Sequence, residues 1–265
     1  MQQDAAAGQK IVLPETAAPE IVTAGLMVIG DEILSGRTKD KNIGYIAEYL
    51  TNIGVDLREV RVVPDIEEEI IDALNTMRRR YTYLFTTGGI GPTHDDITAD
   101  CVAKAFGVAL QFHPEAVAIL QARWQGVVLN DARMRMTRIP EGGDLIRNPV
   151  SGAPGFRIGN VHVMAGIPSV MNAMMDEIAP TLKTGVKMLS DTVRADAREG
   201  DVGTELGDVA KIYPDVIIGS YPFFDENQRP NTNIVVRSRD PERLASARQA
   251  VEAMLAKVKA DLPPA

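Results

Sequence analysis

The strand-like stretch 81–87 runs without a spacer into Gly88-Gly89-Ile90-Gly91-Pro92-Thr93-His94-Asp95-Asp96, and a helical pattern starts at Ile97. This junction constrains the fold more than any other part of the chain. A glycine cluster weakens a strand or helix from within, but it lets the backbone turn sharply and leaves successive N–H groups exposed. A helix that begins immediately afterwards points the positive end of its dipole into the same turn. Strand, glycine turn and helix in that order describe the carboxyl edge of a parallel sheet, where α/β proteins bind ligands. Residues 86–96 are therefore read as a loop that binds phosphate or pyrophosphate.

The flanking sequence repeats the strand-then-helix order. Residues 25–29 form a short apolar run ending at Gly30, followed by a polar, turn-rich loop over 31–40. Ile43, Ile46, Ala47, Leu50 and Ile53 share one face of a helix over 42–53, which Gly54 closes. A valine-rich strand over 55–63 is broken by Pro64-Asp65, and Ile66, Ile70, Leu74 and Met77 mark the next helix. That helix ends in Arg78-Arg79-Arg80, where cations complement its dipole. Further helices are expected over 97–106, 114–124 and 169–182, and a strand over 161–165. Alternating strands and helices imply βαβ units, so residues 21–183 are expected to form a three-layer α/β/α domain around a mostly parallel sheet. After residue 184 the order becomes strand (186–195), helix (200–213), two strands (216–221 and 231–239) and a long helix (241–259). That suits a small α+β domain over 184–265. Residues 1–20 are rich in Ala, Gln and Pro and lack the basic start and apolar core of a secretory signal, so they read as a flexible tail.

Composition excludes several partners. The net charge is −8, and no dense basic stretch offers a surface to nucleic acid. No apolar run approaches the ~18 residues of a membrane span. The single cysteine, Cys101, excludes an intramolecular disulfide and suits the reducing cytoplasm. Its neighbours Val102, Ala105 and Phe106 make it a small core residue.

The glycine loop also carries acid. Asp95 and Asp96 would repel a phosphate unless a cation intervenes, and Mg²⁺ is the hard divalent ion that bridges carboxylates to phosphates. One of the two is expected to cap the helix and the other to face the ligand. Thr86, Thr87, Thr93 and Thr98 supply hydroxyls, and His94 lies within reach of a phosphate. A second loop, Gly30-Asp31-Glu32-Ile33-Leu34-Ser35-Gly36 through Asn42, follows the neighbouring strand. Asp31 and Glu32 could ligate metal or bind a ribose or amino group there; alternatively the loop is solvated, with Asp40 or Asn42 as an N-cap. The cluster 148–155 reads as a turn. Gly166-Ile167-Pro168-Ser169 is either a structural turn or a source of backbone N–H groups. His162 reads as a satisfied core or edge residue. No Cys/His spacing suggests zinc.

Together these loops resemble the molybdopterin-binding, MoaB/Mog-like domain family, and within it the N-terminal domain of CinA-like (competence/damage-inducible) proteins. The matching pieces are Gly30–Gly36 with Asn42, Thr87–Thr98, Asn148-Pro149 with Ala153–Phe156, and Gly166–Ser169. The resemblance covers about 21–183, and 184–265 resembles the small domain that follows in CinA-like proteins. The amidohydrolase domain of full-length CinA has no counterpart, so nicotinamide-nucleotide deamidation is not expected.

The family handles nucleotide pyrophosphates or pterin phosphates with a divalent metal. The resemblance implies that Gly88, Gly89, Gly91 and Thr93, with Thr87, Pro92 and His94, cradle phosphate. It further implies ligand contacts from Gly30, Asn42, Gly166, Pro168 and Ser169. Asp95 and Asp96 would hold metal or orient the nucleophile, with Asp31 and Glu32 completing the metal side. Two positions depart from the CinA-like pattern. Arg135-Met136-Thr137 stands before Pro140-Glu141-Gly142 where Lys-Gln-Ala is usual, and Val170 stands where a glutamate usually follows Pro-Ser. Three functions are consistent with this pattern. They are a Mg²⁺-dependent hydrolase of ADP-ribose or FAD, a binding module for molybdopterin or its nucleotide, and a molybdopterin adenylyltransferase of molybdenum-cofactor biosynthesis. Relatives of the family are dimers or trimers, so a homo-oligomer is expected by analogy.

Overall fold

The computed structural model describes residues 20–261. The tail expected over 1–20 lies, but for Glu20, outside the described residues.

The first body is built on β1 (Val22–Ile29), β2 (Val55–Val63), β3 (Tyr83–Thr87), β6 (Asp144–Ile146), β7 (Gly155–Ile158) and β8 (Val161–Met164). They form one sheet in the order β2-β1-β3-β8-β7-β6. β2, β1, β3 and β8 are parallel, and only β7 runs against its neighbours. Helices α2 (Asn42–Asn52) and α7 (Pro168–Ile178) cover one face, and α3 (Glu67–Arg80) and α4 (Thr98–Phe106) the other. Successive residues of β1 alternate between the two cores. Leu26 and Val28 pack with Ile46, Leu50 and Met171, while Met27 and Ile29 pack with Ile70, Leu74 and Val102. A strand buried on both faces has to be apolar throughout, which is why β1 reads as a continuous run. Cys101 is fully buried in the second of these cores, where burial pushes its thiol up to about 12.

Several expectations need adjustment. The loop 31–40 opens with a short helix, α1 (Asp31–Leu34). Between 108 and 158 the chain adds β4 (Leu110–Phe112), α5 (Pro114–Arg123), α6 (Asp131–Arg135) and β5 (Arg138–Pro140), as well as β6 and β7. Apart from α5 these elements have three to five residues, too few for a periodicity to show.

The second body has the expected order: β9 (Leu189–Arg194), α8 (Glu199–Ile212), β10 (Ile217–Phe224), β11 (Pro230–Ser238) and α9 (Pro241–Asp261). Its antiparallel sheet runs β10-β11-β9 over a core that includes Val202, Ile234, Val236 and Val251. The Gly185 N–H donates to the Gly54 carbonyl at 3.0 Å, and Arg239 pairs with Asp56 on β2 at 2.5 Å, so this lobe is fastened to an edge of the main sheet.

His162 is buried as expected, at 2 % exposure, but it is not satisfied: neither ring nitrogen has a hydrogen-bond partner among the described residues. The ring stacks on Phe85 at 5.1 Å and faces Arg157 across the strands. Burial, then the Arg157 charge, pushes the imidazole down from 6.5 to about 4. The folded protein therefore resists protonation where the unfolded chain accepts it, and stability falls as pH drops through that window. Urea titrations at pH 7 and pH 5 are expected to show about 2 kcal/mol lost through this residue. His162→Phe is expected to remove that share of the pH dependence; an unchanged slope would contradict the assignment.

Candidate functional site

Parallel pairing brings three loops to one rim, after β1, β3 and β8. The backbones meet there without room for side chains. A Cβ at Gly88 (φ +101°) would collide with the Ile29 carbonyl, and one at Gly89 (φ +66°) with the Thr98 hydroxyl. A Cβ at Gly166 would lie 3.3 Å from Gly88 Cα. Thr98 holds the turn by donating its hydroxyl to the Gly88 carbonyl and its N–H to the Gly89 carbonyl, both at 3.0 Å.

The two aspartates differ in their surroundings, and neither caps α4. Asp96 accepts from the Gly91 N–H at 2.6 Å, the Thr93 N–H at 2.8 Å and the Thr93 hydroxyl at 2.6 Å. It is an internal anion that shapes the loop, and its side chain does not cap α4. The Gly91 and Thr93 amides are therefore engaged within the loop. The Gly89 and Ile90 amides have no acceptor among the described residues. They border a narrow cleft with Arg135, Arg138, Pro154 and Phe156. Asp95 points outward, its side chain 62 % exposed, and His94 beside it is fully exposed.

On the other side of Thr87 lies a cleft of about 70 Å³, walled by Val28, Ile33, Thr38, Asn42, Gly166 and Pro168 among others. Asn42 is 4 % exposed and donates its amide N–H to the Gly166 carbonyl at 2.8 Å. Its Oδ1 and the Thr87 Oγ1 are buried without partners among the described residues. A buried acceptor left unpaired is costly, so this cleft suits a ligand that brings N–H or O–H donors, as a pterin edge or a ribose does. Lys41 stands at the N-cap of α2 without a side-chain cap bond; Asp40 before it accepts from the Ile43 N–H at 2.8 Å, and Asn42 is the first helical residue. Pro168 opens α7, with exposed Ser169 next to it.

Gly30 leads into Asp31 and Glu32, and a third carboxylate joins them. Asp65 accepts from the Asp31 N–H at 3.0 Å. Burial, and then the charges of Asp31, Glu32 and Asp95, raise its carboxyl above the usual carboxylate range, against the pull of that hydrogen bond. In the sequence alone, Pro64-Asp65 reads only as a strand breaker. The carboxyl end of the strand beside β1 was the signal that it belongs to this rim. Asp31, Glu32, Asp95 and Asp96 do not form a ready-made cage: no three acidic, histidine or cysteine side chains converge to hold a metal ion among the described residues.

Both departures from the family pattern find a physical place. The Arg135 guanidinium donates to the Asp96 carbonyl at 3.2 Å, so a cation lies against the glycine loop. Val170 is buried in the core under α7, away from solvent. The 148–155 cluster is a turn held by Asn148, whose side chain bonds Ser151 and the Ala153 carbonyl.

Residues 25–184 match the family described as "Probable molybdopterin binding domain". The chain belongs to the molybdopterin-binding domain family. Residues 187–261 match "FAD synthase, middle domain". A protein of Archaeoglobus fulgidus is 30% identical over 231 residues, which cover 87% of this chain and 96% of its own. A Caenorhabditis elegans protein described as a "Probable FAD synthase" is 30% identical over 90% of this chain; the match spans 51% of that protein, about half its length. The crystal structure of CinA, of unknown function, from Thermoplasma acidophilum superposes with a TM-score of 0.58 at 32% identity, covering 61% of this chain and 98% of that one. The molybdopterin-binding domain thus carries the mostly parallel sheet, with the small lobe as a second matched unit. No helix among the described residues is long and apolar enough to cross a membrane.

The division of labour in the loop is open to measurement. Asp96→Ala is expected to cost about 2–3 kcal/mol, since it strands two amides and a hydroxyl that bond a charged group. In a protein of this size that is a melting-temperature drop of roughly 5–10 °C. Asp95→Ala should leave the melting temperature unchanged. Equal shifts for the two variants would refute the scaffold role of Asp96.

Proposed function

We propose that the protein is a divalent-metal-dependent hydrolase of nucleotide pyrophosphates of the ADP-ribose or FAD type. One observation carries this reading: two clefts open beside the glycine turn, one bordered by Asn42 and Thr87 and the other by the Gly89–Gly91 backbone and Arg135. In the first, the unpartnered Asn42 Oδ1 is an acceptor and the Thr87 hydroxyl an acceptor or donor, beside Lys39 and Lys41. In the second, the Gly89 and Ile90 amides and the Arg135 guanidinium offer donors to an anion. A molecule with a hydroxyl- or amino-bearing end and a phosphate chain satisfies both. The nine-residue helix α4 adds its positive end on the phosphate side.

Each residue then has a task. The Gly89 and Ile90 amides bind phosphate oxygens and hold the chain in line. Arg135 offsets charge that develops on phosphorus. Asp95, exposed at the loop tip, orients a water molecule. Mg²⁺ binds through one or two carboxylates together with phosphate oxygens. Asp31, Glu32, Asp65 and Asp95 suit an ion that arrives with its nucleotide, in the absence of a preformed cage. That ion would supply further charge stabilisation on the phosphate oxygens.

A second reading, a module that holds molybdopterin or its nucleotide without cleaving it, is supported by the engagement of Asp96 inside the loop and the apolar Val170. An adenylyltransferase has no separate support from the geometry. Incubation with ADP-ribose or FAD and Mg²⁺ or Co²⁺ is expected to release AMP, and Asp95→Asn to lose at least about 90% of that rate. Absence of AMP together with a thermal shift by molybdopterin would replace the hydrolase with the holding module.

A further inference from the structure

The ribbon of β4 and β5 stands beside the glycine loop and has no task in the reading above. Phe112, at its tip, is 55 % exposed. It pairs directly with Arg138 across the ribbon, so the two side chains leave the same face. Arg138 grips the Asp100 carboxylate with Nη1 at 3.0 Å and Nη2 at 2.7 Å. Its Nε is buried without a partner among the described residues, and so is the Nε of Arg135. Both arginines wall the narrow cleft at Gly89–Gly91. Both also wall an open groove of about 690 Å³ that continues to Pro92, His94 and Phe112.

A single exposed phenylalanine is ordinary on a protein surface. Two arginines converging beside it are less so: their Nη atoms are held by the Asp96 carbonyl and the Asp100 carboxylate, and the Nε of each is buried without an acceptor, a costly arrangement. The groove has two guanidinium groups where it meets the glycine loop, that of Arg138 paired with Asp100, has Asp131 in its wall, and is aromatic at its outer end. We propose that it is the base subsite of a nucleoside diphosphate: the phosphates lie between the Gly89–Gly91 turn and Arg135 and Arg138, and the planar base stacks on Phe112. This rests on the phosphate reading of the glycine loop. It assigns the heteroaromatic ring of such a ligand to Phe112, since inorganic pyrophosphate would fill the inner part and leave Phe112 uncovered.

Calorimetric titration of the intact protein with ADP and with inorganic pyrophosphate, both with Mg²⁺, separates the two ideas. F112A is expected to weaken ADP by about five- to a hundred-fold, the usual contribution of one base–aromatic stack. Pyrophosphate should stay within roughly two-fold. F112W should keep ADP affinity, and F112L, which restores bulk without the ring's stacking face, should not; these variants also cover any folding defect in F112A. R135Q should weaken both ligands. ADP binding indifferent to F112A and F112L overturns the base subsite while the phosphate reading stands. Binding of neither ligand to the wild-type protein overturns both.

Discussion

The close meeting of main chains at the carboxyl edge of the sheet governs everything around it. Gly88 lies under the Ile29 carbonyl, and Gly166 packs against Gly88. No side chain fits between the ends of β1, β3 and β8, so three loops approach as bare backbone. This close approach needs a sheet whose central strands are buried on both faces and locked in register. The two cores supply that condition: Leu26, Val28 and Phe85 anchor one face of the sheet, and Met27, Ile29 and Leu84 the other. Core and site are therefore one problem, since loosening the register by a residue would exchange the faces and separate the loops.

Much of this was legible in the sequence because it is written in long elements. α2, α3 and α9 show helical spacing over 11 residues or more, and β1 and β2 are eight and nine residues long. The glycine turn was legible because glycine at positive φ is a steric necessity there. What escaped were features defined by contacts across the chain. Asp65 joins the acidic rim only because β2 lies beside β1. Arg135 reaches the loop from a five-residue helix that no periodicity announces. His162 sits in a strand as expected, yet its missing hydrogen bonds depend on neighbours from other strands.

The small lobe is fastened rather than merged. A backbone hydrogen bond between Gly185 and Gly54 and the Arg239–Asp56 pair join it to the main sheet. Both ends of this seam lie at β2, the sheet's outer strand. The lobe carries its own core of Val202, Ile234 and Val251.

The carboxylate of Asp96 has a consequence for affinity. Two amides and a hydroxyl of the loop already hold a negatively charged group that is part of the same chain. Such a tethered group acts at a very high effective concentration. An incoming anion that sought the Gly91 and Thr93 amides would have to displace it, so binding there would be an exchange with little net gain. An anion that settles on Gly89 and Ile90 meets no such competitor. Under the proposed phosphate reading the loop would therefore discriminate by where a ligand's oxygens fall, disfavouring compact anions that need the whole turn and admitting extended chains that touch it at one end.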